Sequence, residues 1–420
     1  MNTTTAPLRP AAAQALPAQA PATVRATLKL LQQLPHGQLE LHTPDGHTLL
    51  LGKADASAHG PHAMLTLRDW RVFSQVQLRG DIGLAESFID GDWDSPDLSG
   101  LLALFLANRR HIEALIYGNW WGGMLHRIRH RMRRNTLRGS ERNIHAHYDL
   151  GNAFYKLWLD PSMNYSAAWF QDQDPAEVPL HEAQLAKMRR ALDECGIAPG
   201  QRLLEIGCGW GAIAELAARD YQAQVSGVTL SREQLAWGQQ RLQNLGLADR
   251  AQLHYQDYRT LAAQHAAAPF DAVVSIEMFE AVGEAYWEAY FRTLHSCLKP
   301  SGLACVQTIT IDDALFERYR SGTDFIQQYV FPGGMLPSPR VFEAQANKAG
   351  FEVVKRLAFG ADYAETLRRW RDAFLAALPQ VQALGFDERF VRIWRFYLAY
   401  CEAGFDSGST DVMQFTLRKR

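Results

Sequence analysis

The chain has 420 residues, 47% hydrophobic and 21% charged, enough material for two or three domains with ordinary globular cores. A net charge of −2 excludes a general attraction to nucleic acid. Five scattered cysteines with no C-x-x-C pair argue against a zinc site or a disulfide framework and fit a reducing, cytoplasmic compartment, and no apolar run reaches the roughly 18 residues of a membrane-spanning helix.

Residues 1–22, rich in Ala, Pro, Thr and Gln, lack a basic start followed by an apolar stretch; they read as a disordered tail, not a secretory signal. Residues 23–117 read as a small α+β domain. There "GQLELHTPDGHTLLLG" alternates apolar and polar residues around Pro44-Asp45-Gly46, the pattern of a β-hairpin. "AMLTLRDWRVFSQVQLRGD" reads as two more strands. "GLAESFIDGDWDSPDLSGLLALFLAN" reads as a helix, a Gly-Asp turn and a second helix after Pro96. Residues 118–142 are a basic linker, in which Arg127, Arg129, Arg131, Arg133, Arg134 and Arg138 crowd beside Trp120 and Trp121. Two readings stay open: a solvated linker helix, or an interfacial segment with arginines on anionic headgroups and tryptophans at headgroup level.

From 143 to 420 short apolar strands ("RLLEIGCG", "QVSGVTLS", "AQLHYQDY", "FDAVVSIEMF", "GLACVQTITI") alternate with helical stretches. That alternation predicts a doubly wound, Rossmann-like α/β domain. After Ile311 the chain turns aromatic and predicts helices that cover one side of the sheet. His145 and His147 are two apart, share no helix face and have no accompanying ligand set, so they read as structural or lid residues and not as ligands.

Gly207-Cys208-Gly209-Trp210-Gly211 falls between a predicted strand and helix, where glycines permit a tight turn and close approach of a ligand to backbone N–H groups. The spacing is not G-x-G-x-x-G, and no Lys-Ser/Thr follows, so neither a pyrophosphate fingerprint nor a phosphate loop is present. Glu205, Gly207, Gly209 and Gly211 therefore form a candidate cradle without a phosphate. Thr229, Ser231 and Gln234 at the end of the second strand suit a ribose, and Gln256, Asp257 and Tyr258 at the end of the third suit an adenine edge. A neutral or cationic adenosyl ligand needs no phosphate cradle, and the combination resembles S-adenosylmethionine-dependent methyltransferases of the doubly wound class.

Further motifs narrow the resemblance. "HYDLGNAFYKLWLDPSMNYSAAWF", "LEIGCGWG", "GVTLSREQ", "QDYR", "MFEAVG", "YVFPGGMLPS" and "FGADY" occur in that order, and the chain from about Arg142 to Phe405 resembles the cyclopropane-fatty-acid synthase family. "RGDIGLAESFIDGDWDSPDL" resembles the family's bacterial phospholipid-acting members, which carry an additional lipid-handling domain. The resemblance implies methylation of unsaturated acyl chains in phospholipids at a membrane surface, with the enzyme peripheral on the cytoplasmic face of the inner membrane and homodimeric. It places Tyr165 and Ser166 on the cofactor from a lid. It implies a bicarbonate ion that accepts a proton, held by a cysteine, a glutamate, a histidine, a backbone position and a tyrosine. Glu280, Ile309 and Tyr363 match that set; Ala167 stands in place of the cysteine and Gln307 in place of the histidine.

An isolated alkene is a weak nucleophile, so the sulfonium methyl must be held in line with it in a dry pocket. Methyl transfer leaves a carbocation that aromatic faces stabilise; Trp169, Tyr329, Phe331 and Phe359, with Phe170 and Tyr363, are the candidates. Closing a cyclopropane ring then needs a base. Glu277 and Glu280, three residues apart, predict two carboxylates on one face of a short helix, with Glu280 as the base and Glu277 as its helper. Alternatively, Gln307 still supports bicarbonate in a rearranged pocket. The two departures leave a second product open: a methylene-branched chain, or a methyl-branched one given a reductase partner. The rival classes are a methyltransferase acting on a soluble small molecule and a non-catalytic lipid carrier.

Overall fold

The computed structural model describes residues 20–53, 62–116, 150–265 and 267–420. The chain divides into two units, 1–122 and 123–420. The linker at 118–142, residues 1–19 of the expected tail, His145 and His147 lie outside the described residues.

In the first unit, strands β1 (Gln38–His42), β2 (Thr48–Gly52), β3 (His62–Leu67) and β4 (Trp93–Asp94) form a sheet in the order β2-β1-β3-β4. β1 and β2 are antiparallel through the Pro44-Asp45-Gly46 turn, and β3 runs parallel to β1. Period-2 patterning buries Leu39, Leu41, Leu49, Leu51, Ala63, Leu65 and Leu67. The expected strand over "RVFSQVQLRGD" is instead the start of a helix, Arg71–Ile89, kinked at Gly80. Its second half buries Ile82, Ala85, Phe88 and Ile89, a helical spacing that the short alternating run before Gly80 masks. The helix Leu98–Ala107 starts where Asp97 accepts a hydrogen bond from the Gly100 N–H at 2.9 Å.

The second unit holds β5 (Arg202–Ile206), β6 (Gln224–Thr229), β7 (Ala251–Tyr255), β8 (Phe270–Ile276), β9 (Leu298–Ile311), β10 (Phe351–Ala358) and β11 (Thr410–Lys419). They form one seven-stranded sheet in the order β10-β11-β9-β8-β5-β6-β7. β5 to β9 are parallel, and β11 runs antiparallel to both β9 and β10. The chain moves outward from β5 through β6 to β7, then returns to place β8 on the other side of β5. That reversal opens a crevice at the carboxyl edge, where sheets of this kind bind ligands. β10 and β11 correct the helical reading of the carboxyl-terminal region; the two long helices there, Gly360–Ala376 and Glu388–Asp406, are as expected.

Both faces of the sheet are covered. On one, Phe279 packs against Trp287, Tyr290, Phe291 and Phe342, all fully buried, with ring centroids 5.0–5.5 Å apart. Truncating such an aromatic to alanine costs about 3–5 kcal/mol. On the other, Ile213, Leu216 and Ala217 of the helix Ala212–Asp220 pack on Leu203, Val225 and Leu253. Among the described residues no helix is long and apolar enough to cross a membrane, and all five cysteines are free thiols.

Candidate active site

The turn after β5 is tied to its neighbour: Gly207 and Cys208 both donate N–H to the Val228 carbonyl, at 2.9 and 3.0 Å. Gly207 has φ +84°, and a Cβ there would stand 2.9 Å from Met278. Gly209 has φ +50°, and a Cβ there would meet no protein atom within 4 Å, because this glycine borders a cavity. Of the predicted cofactor residues, Tyr165, Ser166, Glu205, Gly207, Gly209, Thr229, Gln234, Gln256 and Tyr258 line that cavity.

Three predicted cofactor residues do not. Gly211 packs against Gly238, Cα 3.4 Å from where its Cβ would lie, so its smallness serves helix packing. Ser231 caps the helix Arg232–Asn244, its Oγ accepting from the Gln234 N–H at 3.3 Å. Asp257 is paired with the Arg259 guanidinium, Nε at 2.8 Å and Nη2 at 2.5 Å.

Glu205 is buried, and its Oε2 has no hydrogen-bond partner. Burial pushes its carboxyl up to about 8, against the pull of Lys187. A buried acid with an orphaned oxygen at a cavity wall suits a cationic or hydroxyl-bearing ligand. Together with the open space at Gly209 and the hydroxyl and amide of Thr229 and Gln234, this donor set fits an adenosyl sulfonium.

The loop bearing Tyr165 and Ser166 is strapped down. Asp160 Oδ2 accepts from the Ser162 N–H (2.9 Å), Ser162 Oγ (2.6 Å) and His181 Nδ1 (2.8 Å). Arg241 Nη1 donates to the Ser162 carbonyl at 2.7 Å. From the helix Leu180–Glu194, Gln184 Nε2 donates to the Ser166 carbonyl (2.7 Å) and Lys187 Nζ to Ser166 Oγ (2.6 Å). Lys187 is fully buried, and burial pulls its ammonium down to about 8 in spite of Glu277, Asp160 and Glu205. The "EAQLAKM" pattern alone marks Lys187 as a solvated helix residue; its burial follows from docking under the Ser166 loop.

A second cavity has mainly apolar and aromatic walls, including Ile309, Phe331, Leu336, Leu367, Tyr397 and Phe405. Tyr165, Glu277 and Ala281 line both cavities. Of the predicted cation-facing aromatics, Phe331 and Tyr363 are in this wall and the other four are elsewhere. Trp169 lies under the Arg190 guanidinium, 5.8 Å from its ring centroid. Tyr329 stacks on Phe325 at 5.3 Å. Phe359 precedes the helix Gly360–Ala376, its N–H bonded to the Val412 carbonyl. Phe170, too, lies outside it, in a small cluster with Ala168 and Ala183. Tyr397 and Tyr400, missed in the sequence, take these places; Tyr397 Oη is 2.6 Å from Tyr165 Oη.

Glu277 and Glu280 converge, but not from one helix face. Glu277 sits in the turn after β8 with φ +48°, and Glu280 in the single turn Phe279–Ala281. Glu277 Oε1 accepts from the Ala167 N–H at 2.9 Å and Gln307 Nε2 at 2.7 Å; Oε2 accepts from Tyr363 Oη at 2.6 Å. Glu280 Oε1 accepts from the Ile309 N–H, and its Oε2 has no partner. Burial first, and the charge of Glu277 second, push Glu280 up to about 8. Gln307 is fully buried and faces Gln414 across the β9–β11 ladder. Among the described residues no group of three His, Cys, Asp or Glu is disposed to hold a metal ion.

The model of the mycolic acid cyclopropane synthetase family matches residues 135–415. A tuberculostearic acid methyltransferase of Mycobacterium tuberculosis is 37% identical over 351 residues, covering 82% of this chain and 80% of that protein. A cyclopropane-fatty-acyl-phospholipid synthase of Escherichia coli is 34% identical over 373 residues, covering 87% and 90%. The crystal structure of a mycolic acid cyclopropane synthase in complex with SAH and CTAB superposes with a TM-score of 0.61 at 34% identity, over 66% of this chain and 98% of that one.

Proposed function

The chain belongs to the mycolic acid cyclopropane synthetase family, and from that membership we infer that it is an S-adenosylmethionine-dependent methyltransferase acting on the double bond of an unsaturated phospholipid acyl chain, with a cyclopropane as the product. The observation that carries this reading is the meeting of two cavities, one bounded by the bare-backbone turn and the polar side chains of Thr229 and Gln234 and the other mainly apolar, at Tyr165, Glu277 and Ala281. S-adenosylmethionine supplies the electrophilic methyl group.

Each part of the site has a task. Gly207, Gly209, Thr229, Gln234, Gln256 and Tyr258 hold the donor on the polar side, with Glu205 available to its cationic or hydroxyl groups. The apolar walls seat the acyl chain and keep water out, so that alkene and methyl carbon meet in line; positioning of that kind lowers a barrier by up to about 7–11 kcal/mol. Faces of Tyr165, Phe331, Tyr363 and Tyr397 surround the place where positive charge forms, each contributing about 0.5–2 kcal/mol when desolvated. Burial first, and the neighbouring Glu277 second, favour the protonated form of Glu280 near neutrality. Glu277, which accepts from the Ala167 N–H, Gln307 and Tyr363, is then the better placed to take a proton, the reverse of the order expected from sequence.

The lipid is met at a membrane surface, where the protein acts as a peripheral enzyme on the inner, cytoplasmic face; the amino-terminal unit serves lipid handling, and the enzyme works as a homodimer. A second reading, a methylene-branched chain that a reductase partner converts to a methyl branch, draws on the likeness to a tuberculostearic acid methyltransferase. The test is incubation of the purified protein with methyl-labelled donor and vesicles of unsaturated phospholipid. Fatty acids heavier by one carbon and two hydrogens support the reaction, and NMR of those chains separates a ring methylene from an exocyclic one. Absence of any one-carbon product refutes the reading.

A further inference from the structure

We propose that Glu277 is the enzyme's own proton acceptor, occupying the place of the dissolved anion that the family resemblance implies, so that turnover needs no bicarbonate. The proposal rests on the function just proposed and concerns how the proton leaves.

The positions that the resemblance assigns to the ion surround a carboxylate that belongs to the chain. Ala167 offers its N–H, Gln307 its amide and Tyr363 its hydroxyl, and all three point at Glu277. An added anion would find these donors taken and a like charge in its seat. The donors also have a fixed direction. Arg190 can only donate, and it donates to Gln414 Oε1. That leaves Gln414 Nε2 to donate to Gln307 Oε1, at 2.9 Å, and Gln307 Nε2 to donate to Glu277. A glutamine at 307 is thus a donor toward Glu277 with no proton of its own to give or take. The departure at 307 and the carboxylate at 277 are complementary.

Glu277 is also where the proton is released. It lines both cavities, so it borders the point where methyl passes from donor to acyl chain. Oε1 takes two hydrogen bonds and Oε2 one, which leaves Oε2 with acceptor capacity. The positive φ of +48° is a conformation side chains rarely adopt, held here by the Glu277 N–H bonding the Gln307 carbonyl at 2.8 Å.

The step balances without a redox partner. A C–H bond of the transferred methyl breaks and its proton goes to Glu277. The electron pair left behind closes the third C–C bond of a ring or, after a 1,2-hydride shift along the chain, forms an exocyclic C=C. In both outcomes the same methyl surrenders the proton, so the acceptor does not depend on which product forms. Glu277, now neutral, returns the proton to solvent as product departs.

The experiment compares wild type, E277Q and E277G in carbon-dioxide-free buffer and with added bicarbonate, using unsaturated phospholipid vesicles and labelled donor. Wild type should turn over equally in both. Both variants should lose at least about a hundredfold in kcat, the scale of a lost general base, while calorimetry shows donor binding retained. Bicarbonate should restore turnover to E277G, whose seat is open, and not to E277Q, whose seat is filled by an amide. Stimulation of wild type by bicarbonate, near-normal turnover by E277Q, or identical behaviour of the two variants overturns the proposal. A wild-type protein that makes no product in either buffer overturns the function itself, and this inference with it.

Discussion

Glu280→Gln should make the protein more resistant to alkaline pH. The glutamine keeps an oxygen for the Ile309 N–H and puts an uncharged amide where the second, unpartnered oxygen lies. The wild-type carboxyl is raised from 4.5 to about 8. A raised carboxyl contributes stability that is complete below its unfolded value and is lost as pH climbs through its folded value. At 1.36 kcal/mol per pH unit, the whole window from 4.5 to 8 is worth roughly 5 kcal/mol, of which about 3 kcal/mol falls between pH 6 and 9. For a unit of this size that is about 6 °C in melting temperature. The assay is thermal unfolding of both proteins by circular dichroism at half-unit steps from pH 5 to 9. Glu205, also raised to about 8, titrates in both proteins and cancels in the difference. The variant's advantage should widen with pH; parallel curves would refute the placement of a protonated Glu280 carboxyl out of contact with water beside Glu277.

Gly209→Val puts a branched side chain into the cavity proposed for the donor, from a backbone with φ +50°. Calorimetry should show S-adenosylmethionine affinity down tenfold or more at unchanged secondary structure; normal affinity would move the donor elsewhere. Tyr363→Phe removes one hydrogen bond to Glu277, a contribution of about 1.5–3 kcal/mol when the partner is charged, so kcat should fall about tenfold to a hundredfold while donor affinity holds. Lys187→Met removes an ammonium that burial has depressed from 10.5 to about 8 among Glu277, Asp160 and Glu205. A depressed lysine stabilises the fold above its unfolded value and loses that contribution as pH falls through the folded one. Wild type should therefore gain on the variant by up to about 3 kcal/mol between pH 8 and 10.5, read as a widening difference in melting temperature; a constant difference would place that ammonium in water.

The parallel strands and the glycine turn were legible in the sequence because their causes are local. Apolar runs of strand length recur between helical stretches, and a bare turn after β5 announces a close backbone approach. That Thr229, Gln234, Gln256 and Tyr258 line one cavity was legible too, since strand ends at one edge of a parallel sheet share a location whatever the rest of the chain does. What tertiary structure alone decided comes from distant segments. β11 inserts antiparallel between β9 and β10, and its register sets Gln414 beside Gln307. Whether an aromatic such as Trp169 or Tyr397 faces the apolar cavity depends on which neighbour claims its ring, not on its spacing. Lys187 looks like a solvated residue until the Ser166 loop closes over it. Glu277 gains its meaning from a loop amide, a cross-strand glutamine and a helix tyrosine, at sequence distances of 110, 30 and 86 residues. Local periodicity carries no information about such contacts; they exist only once burial of the two faces has brought the segments together.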